Sequence, residues 1–189
     1  MYKLHKVKGM VRIPPKYFGQ PLEEVAIRIL REQYEGLIHP EVGLIVAVLD
    51  AKVFPEGVII HGDGATYHEV EFAILTFQPI LHEIVEGEVV DTKEFGIFVN
   101  IGPFDALVHR SQIADEPFRL EPTRGALIGQ QTKRIIERGD IVRGRITNIS
   151  LPSAARSPRI GMTLRQPFLG KIEWIKKEIE SLRKSTEKK

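Results

Sequence analysis

Residues 94–112 read EFGIFVNIGPFDALVHRSQ, and the way this stretch folds decides the architecture of the second half of the chain. Its branched and aromatic residues are interrupted at Gly102-Pro103, which predicts two short strands, Gly96–Ile101 and Ala106–Val108, joined by a turn. Phe95, Phe98, Phe104 and His109 are the flat side chains of the segment. Two readings are open for them: packing inside a core, or presentation on a strand face.

Moving outward, Glu83–Asp91 on one side and Ile141–Ile149 and Arg159–Leu164 on the other repeat the pattern of short strands with glycines at the bends. Five such strands predict a small β-barrel of the oligonucleotide/oligosaccharide-binding (OB-fold) type. A long polar insert, about Asp115 to Arg138, separates the third strand from the fourth. At that length an insert is either functional or locally mobile. Ile172, Ile175, Ile179 and Leu182 fall at helical spacing, so a C-terminal helix is expected over Lys171–Leu182.

The first 80 residues carry a different pattern. Tyr2–Ile13 is strand-like and stops at Pro14-Pro15. Leu22, Val25, Ala26, Ile29 and Leu30 then form the apolar stripe of an amphipathic helix. Glu23 and Glu24 sit at its positive end, Arg28 and Arg31 toward its negative end, and Gly36 is a natural stop. Strands are predicted at Val42–Leu49, Gly57–His61 and Tyr67–Phe77, the last with Val70, Phe72 and Ile74 on one face and Glu69 and Glu71 on the other. The fold class is therefore α+β: an antiparallel sheet with one packed helix over residues 1–80, then the barrel and C-terminal helix over 81–189, with the boundary near Gln78-Pro79.

Composition narrows the function. The chain has 189 residues and no cysteine, which excludes a disulfide framework, a thiolate nucleophile and a Cys-ligated metal. No apolar run reaches the roughly 18 residues of a membrane span, and a soluble cytoplasmic protein is expected. Net charge is only +2, but between Arg138 and Arg165 there are six arginines and one acid, Asp140. Arginine in this density is either a solvated strand face or a set of phosphate and base contacts, since its planar fork both stacks and bonds bidentately. Base stacking on aromatics would use Phe95, Phe98 and His109, with Arg143, Arg145 and Arg159 as the cations. In a regular strand Phe95 and Phe98 point to opposite faces. A bend at Gly96 is expected to bring them to one face.

Five pieces in order resemble the RNA-binding barrel named after ribosomal protein S-one. They are Gly87-x-Val89, Phe95-Gly96-x-Phe98-Val99 with Ile101-Gly102, Leu107-Val108-His109-x-Ser111, Gly139-Asp140-x-Val142, and the closing run Arg159 to Arg165. That resemblance implies single-stranded RNA binding at Phe95, Phe98, His109 and Arg159. Where the family commonly carries an acid near the end of the fourth strand, this chain has Ser150. The whole chain, with VRIPPKYFG, HGDGATYHEVEFAILTFQP and MTLRQPFLGKIEWI around the barrel, resembles the large stalk subunits of archaeal RNA polymerase, relatives of the seventh subunit of eukaryotic polymerase II. This implies an RNP-like tip domain docking on the polymerase core through the Gly62-Asp63-Gly64 loop. It also implies a small stalk subunit as heterodimer partner, and a barrel that meets emerging single-stranded RNA.

No cofactor, metal or catalytic residue is expected in the chain by itself. His61, Asp63 and His68 could be read as metal ligands, but a DG turn accounts for Asp63 and both glycines. Nucleotide-cradling loops, nucleophile elbows and paired carboxylates are missing from the sequence. Two further classes use the same barrel: a free-standing RNA-binding factor in translation or RNA processing, which has no need of the first 80 residues, and an assembly protein without RNA affinity.

Overall fold

A computed structural model describes residues 1–150 and 158–186. The chain divides into two compact units with the change at Gln78/Pro79.

The first unit is built from β1 (Tyr2–Ile13), α1 (Leu22–Tyr34), β2 (Ile38–His39), β3 (Gly43–Ile59) and β4 (Thr66–Phe77). The strands form an antiparallel sheet in the order β1-β4-β3-β2. Val25, Ala26 and Leu30 of α1 are buried against Val11, Val48, Val70, Phe72 and Ile74 of the sheet. Side chains the size of Val25 and Leu30 each contribute about 1.5–3 kcal/mol on full burial. The helix ends where its chemistry predicts: Gly36 takes φ +83° and donates its N–H to the Ile45 carbonyl at 2.9 Å. The Glu35 carboxylate accepts the Val48 N–H at 2.9 Å, stitching the helix end to β3.

One difference concerns β3. The two strands expected at Val42–Leu49 and Gly57–His61 are a single strand from Gly43 to Ile59. Its register against β4 shifts at Ile45/Ala47, Val48/Ala51 and Val53/Gly57. The last shift takes Pro55 out of the ladder, so its missing N–H breaks no bond and the strand continues past it.

The second unit holds β5 (Ile84–Lys93), β6 (Gly96–Asn100), β7 (Asp105–His109), β8 (Phe118–Glu121), β9 (Ala126–Gly129), β10 (Ile135–Ile136), β11 (Ile141–Ser150), β12 (Arg159–Thr163), β13 (Gly170–Lys171) and α2 (Ile172–Thr186). β12, β7, β6, β5 and β11 follow one another, and β12 pairs with β11 to close the barrel. β12 runs parallel to β7; the other barrel pairings are antiparallel. Val89, Ile97, Val99, Ala106, Val108, Val142 and Ile146 are fully buried inside. The five barrel strands and the C-terminal helix are those the sequence predicts. Of the apolar positions expected along α2, Ile175 is buried and Leu182 is exposed.

The insert is a three-stranded sheet, β10-β9-β8. It buries Phe118, Ala126, Leu127 and Ile136. Its organising group is a carboxylate. Glu116 is buried and accepts hydrogen bonds from the Gln131 N–H at 2.8 Å, the Thr132 N–H at 3.0 Å and the Thr132 hydroxyl. Burial by itself would raise its pKa, but these donors, helped by Arg134, hold it below the usual carboxylate value.

Candidate nucleic-acid interface

The β5–β6 hairpin places the aromatic residues. Lys93 pairs with Gly96, which leaves Glu94 and Phe95 as a two-residue turn. Phe95 is 48% exposed at this tip, and Phe98 is half-buried on the outer face of β6. Their ring centroids are 6.1 Å apart with planes at 88°, an edge-to-face pair.

The bend expected at Gly96 is not the device that joins them. Phe95 lies off the strand, and β6 begins at Gly96. The register irregularity of this hairpin falls on β5, between Val89 and Asp91. Glycine is needed at position 96 for another reason: a Cβ there would collide with the Val108 carbonyl oxygen of β7. The missing side chain lets β7 come close, and this sets His109 directly opposite Gly96.

Opposed residues share a face, so His109 and Leu107 stand on the outer face with Phe98, while Ile97, Val99, Ala106 and Val108 point inward. The His109 Nδ1 accepts the Ser111 N–H at 3.3 Å and lies 2.8 Å from the Ser111 hydroxyl. In the neutral ring the proton then sits on Nε2, which is directed away from this local bond. Gly161 of β12 continues the row beside Leu107, and Arg159, exposed, lies two residues earlier on the same face of β12.

The other two cations are placed differently. Arg143 faces Glu86 across the β5–β11 ladder and donates to one carboxylate oxygen through Nε at 2.8 Å and Nη2 at 2.6 Å. Arg145 stands opposite Ile84 and Thr163, half-buried, with its Nε buried and without a hydrogen-bond partner. The structure therefore gathers Phe95, Phe98 and His109, sets Arg159 on the same face, and puts Arg143 and Arg145 on β11, beyond β5. A residue the sequence reading passed over joins the tip: the Arg110 N–H donates to the Phe95 carbonyl at 2.9 Å. Its position after His109 was visible; the hydrogen bond that folds it against the hairpin was not.

In the first unit, the Gly62-Asp63-Gly64 loop joins β3 to β4. Gly62 has φ +88°, and a Cβ added there would meet open space. Asp63 is a clamp: its carboxylate takes both prongs of Arg12 at 2.7 Å, the Tyr67 hydroxyl at 2.7 Å and the Ala65 N–H at 3.2 Å. The hydrogen bonds from Arg12 and then Tyr67 hold its pKa far below the usual carboxylate range. Val58, Ile59 and Ile60 beside the loop are 62%, 68% and 50% exposed, apolar groups that strand alternation alone did not single out. His68 is buried, with Nδ1 3.0 Å from the Phe54 carbonyl and Nε2 3.1 Å from the Thr66 hydroxyl. Among the described residues no His, Asp and Glu cluster has the makings of a metal site. Also among them, no helix is long and apolar enough to cross a membrane.

Comparison with known proteins follows this division. Residues 8–64 match the SHS2 domain found in the N terminus of Rpb7p/Rpc25p/MJ0397, and residues 78–148 match the S1 RNA binding domain. The DNA-directed RNA polymerase subunit Rpo7 of Sulfolobus acidocaldarius is 51% identical over 179 residues, 95% of this chain and 97% of that protein. The chain belongs to the Rpo7 family of DNA-directed RNA polymerase subunits. Rpo7 of Saccharolobus solfataricus is 49% identical over 93% of this chain and 97% of its own length. A more distant relative, the polymerase III subunit RPC8 of Saccharomyces cerevisiae, is 31% identical over 77% of this chain and 71% of that protein. Members of the Rpo7 family are non-catalytic subunits of the polymerase. The hairpin that carries Phe95 and Phe98 lies within the S1 match, and the Asp63 loop closes the SHS2 match.

Proposed function

We propose that this Rpo7-family chain is the large stalk subunit of a cytoplasmic RNA polymerase, and that its barrel binds emerging single-stranded RNA on the outer face of β6 and β7, in support of initiation and elongation. The observation that carries the RNA reading is the edge-to-face pair of exposed Phe95 and half-buried Phe98, with His109 opposite Gly96 on the same side. Each ring offers a sequence-independent surface for a base, worth about 1–3 kcal/mol per base. Arg159 supplies charge to the same face, and Arg143 and Arg145 supply it from β11. Exposed Val58, Ile59 and Ile60 around the Gly62–Gly64 loop support docking of the first unit on the polymerase core. Exposed Leu49 in one unit, and Ile80 and Leu81 in the other, support a permanent small stalk subunit as heterodimer partner.

The test uses the chain together with its small partner. Phe95→Ala, Phe98→Ala and His109→Ala combined should weaken binding of single-stranded RNA at least about tenfold, while circular dichroism and the melting temperature stay as in the parent. Unchanged affinity overturns the platform. Recovery of core subunits with the tagged chain tests the docking half.

A further inference from the structure

Beyond the hairpin, the surface opens into a cleft of about 800 Å³ between the end of β7 and the insert sheet. Glu94 and Arg110 line its near end, next to Phe95, and Arg119 and Arg165 line it further in. A second, smaller depression of about 640 Å³ shares Arg119, Leu120, Pro122 and Gln130 with the first and is also lined by Lys133. The two are one furrow, walled by the insert, with Arg110, Arg165, Arg119 and Lys133 along it.

Of the four acids that line the furrow, Glu94, Asp115, Glu116 and Glu121, two are committed to other groups. The Glu116 carboxylate is buried and taken up by Gln131 and Thr132, and Asp115 is paired with Arg165. That same Glu116 fixes the loop that presents Lys133, a residue held in the left-handed region at φ +57°. A non-glycine residue there is uncommon, and such strain persists where the surroundings over-determine it. A buried carboxylate thus organises a loop whose outcome is a cation lining the furrow.

We infer that the insert carries a second stretch of the RNA path: a strand that stacks on Phe95 and Phe98 passes Arg110 and lays its phosphates along Arg119 and Lys133. The ligand class is the phosphodiester backbone of single-stranded RNA, and the inference rests on the platform reading above. Contacts of this kind add affinity with chain length and with release of counterions, not with base sequence.

The experiment measures anisotropy of labelled uridine homopolymers, one short and one long, across salt concentrations, using the full chain with its small partner. Arg119→Ala with Lys133→Ala should weaken the long RNA several-fold, leave the short RNA unchanged, and flatten the salt slope by about 1.4, from about 0.7 per phosphate contact. Phe95→Ala with Phe98→Ala should weaken both RNAs. If only the aromatic variant loses binding, the furrow inference is overturned and the platform stands. If only the furrow variant does, the furrow stands and the platform falls. If neither does, both are overturned. Polyglutamate that competes as well as RNA for the parent, and loses affinity for the furrow variant, would make the furrow a seat for an acidic peptide and overturn the inference.

Discussion

Phe95 and Phe98 meet edge to face, their ring centroids 6.1 Å apart. Phe95 comes from the hairpin turn and Phe98 from the strand that follows it, so the pair straddles the end of the barrel. An edge-to-face arrangement fixes both rings while leaving ring surface uncovered, a geometry suited to receiving a base at little ordering cost.

Gly96→Ala tests how this arrangement is held. The added methyl would run into the Val108 carbonyl oxygen, so β6 and β7 must separate at the Gly96–His109 pair. Overpacking of this kind costs about 1–3 kcal/mol. Urea unfolding should show that loss, and RNA affinity should fall with it because His109 moves. A variant as stable as the parent would mean that the strands can shift at no cost.

Arg159 and Arg143 should separate in their salt dependence. Arg143 is already paired with Glu86, whereas Arg159 stands exposed on the face that carries Leu107 and Phe98. Arg159→Ala is expected to lower the salt slope of RNA binding by about 0.7, the value for one phosphate contact on a single strand. Arg143→Ala should leave it nearly unchanged. Equal effects would show that the Glu86 pair opens readily for RNA.

Glu116 gives a pH dependence of known sign. Its folded-state pKa is depressed, so its contribution to stability is complete above the unfolded value and is lost as pH falls through the folded one. Glu116→Gln removes the charge and replaces one of the two acceptor oxygens by an NH2 donor facing the Thr132 hydroxyl or the Gln131 and Thr132 N–H groups, and should cost about 1–3 kcal/mol at neutral pH. The difference between parent and variant should shrink on acidification. Unfolding curves that stay equally far apart down to strongly acid pH would contradict this account.

At the other end of the chain, Ile59→Asp with Ile60→Asp should abolish co-purification of the polymerase core without lowering the melting temperature, because both side chains are exposed. Asp63→Asn is expected to act differently. It weakens the clamp on Arg12 and Tyr67, so faster amide hydrogen exchange over residues 61–65 should accompany any loss of docking. Retention of the core by the Ile59/Ile60 variant would remove this surface from the docking role.

Much of the fold is local in origin and so legible in the sequence. Apolar periodicity placed α1 and all five barrel strands, because burial of one face is imposed residue by residue along each element. Alternation was not enough for Phe95, Phe98 and His109: it set Phe95 and Phe98 on opposite faces of a regular strand and left core and surface both open. Contacts between distant positions were a different matter. That β3 runs through Pro55 depends on a bulge opposite β4, and no window around Pro55 contains it. That Phe95 meets Phe98 depends on where the hairpin turns, which the Lys93–Gly96 pairing fixes. That Arg143 is engaged depends on Glu86, 57 residues away in the chain. The sequence determined which residues could stack on a base or hold a phosphate. Only the tertiary structure decided which of them stand together, because strand register and side-chain pairing are settled between segments and not within them.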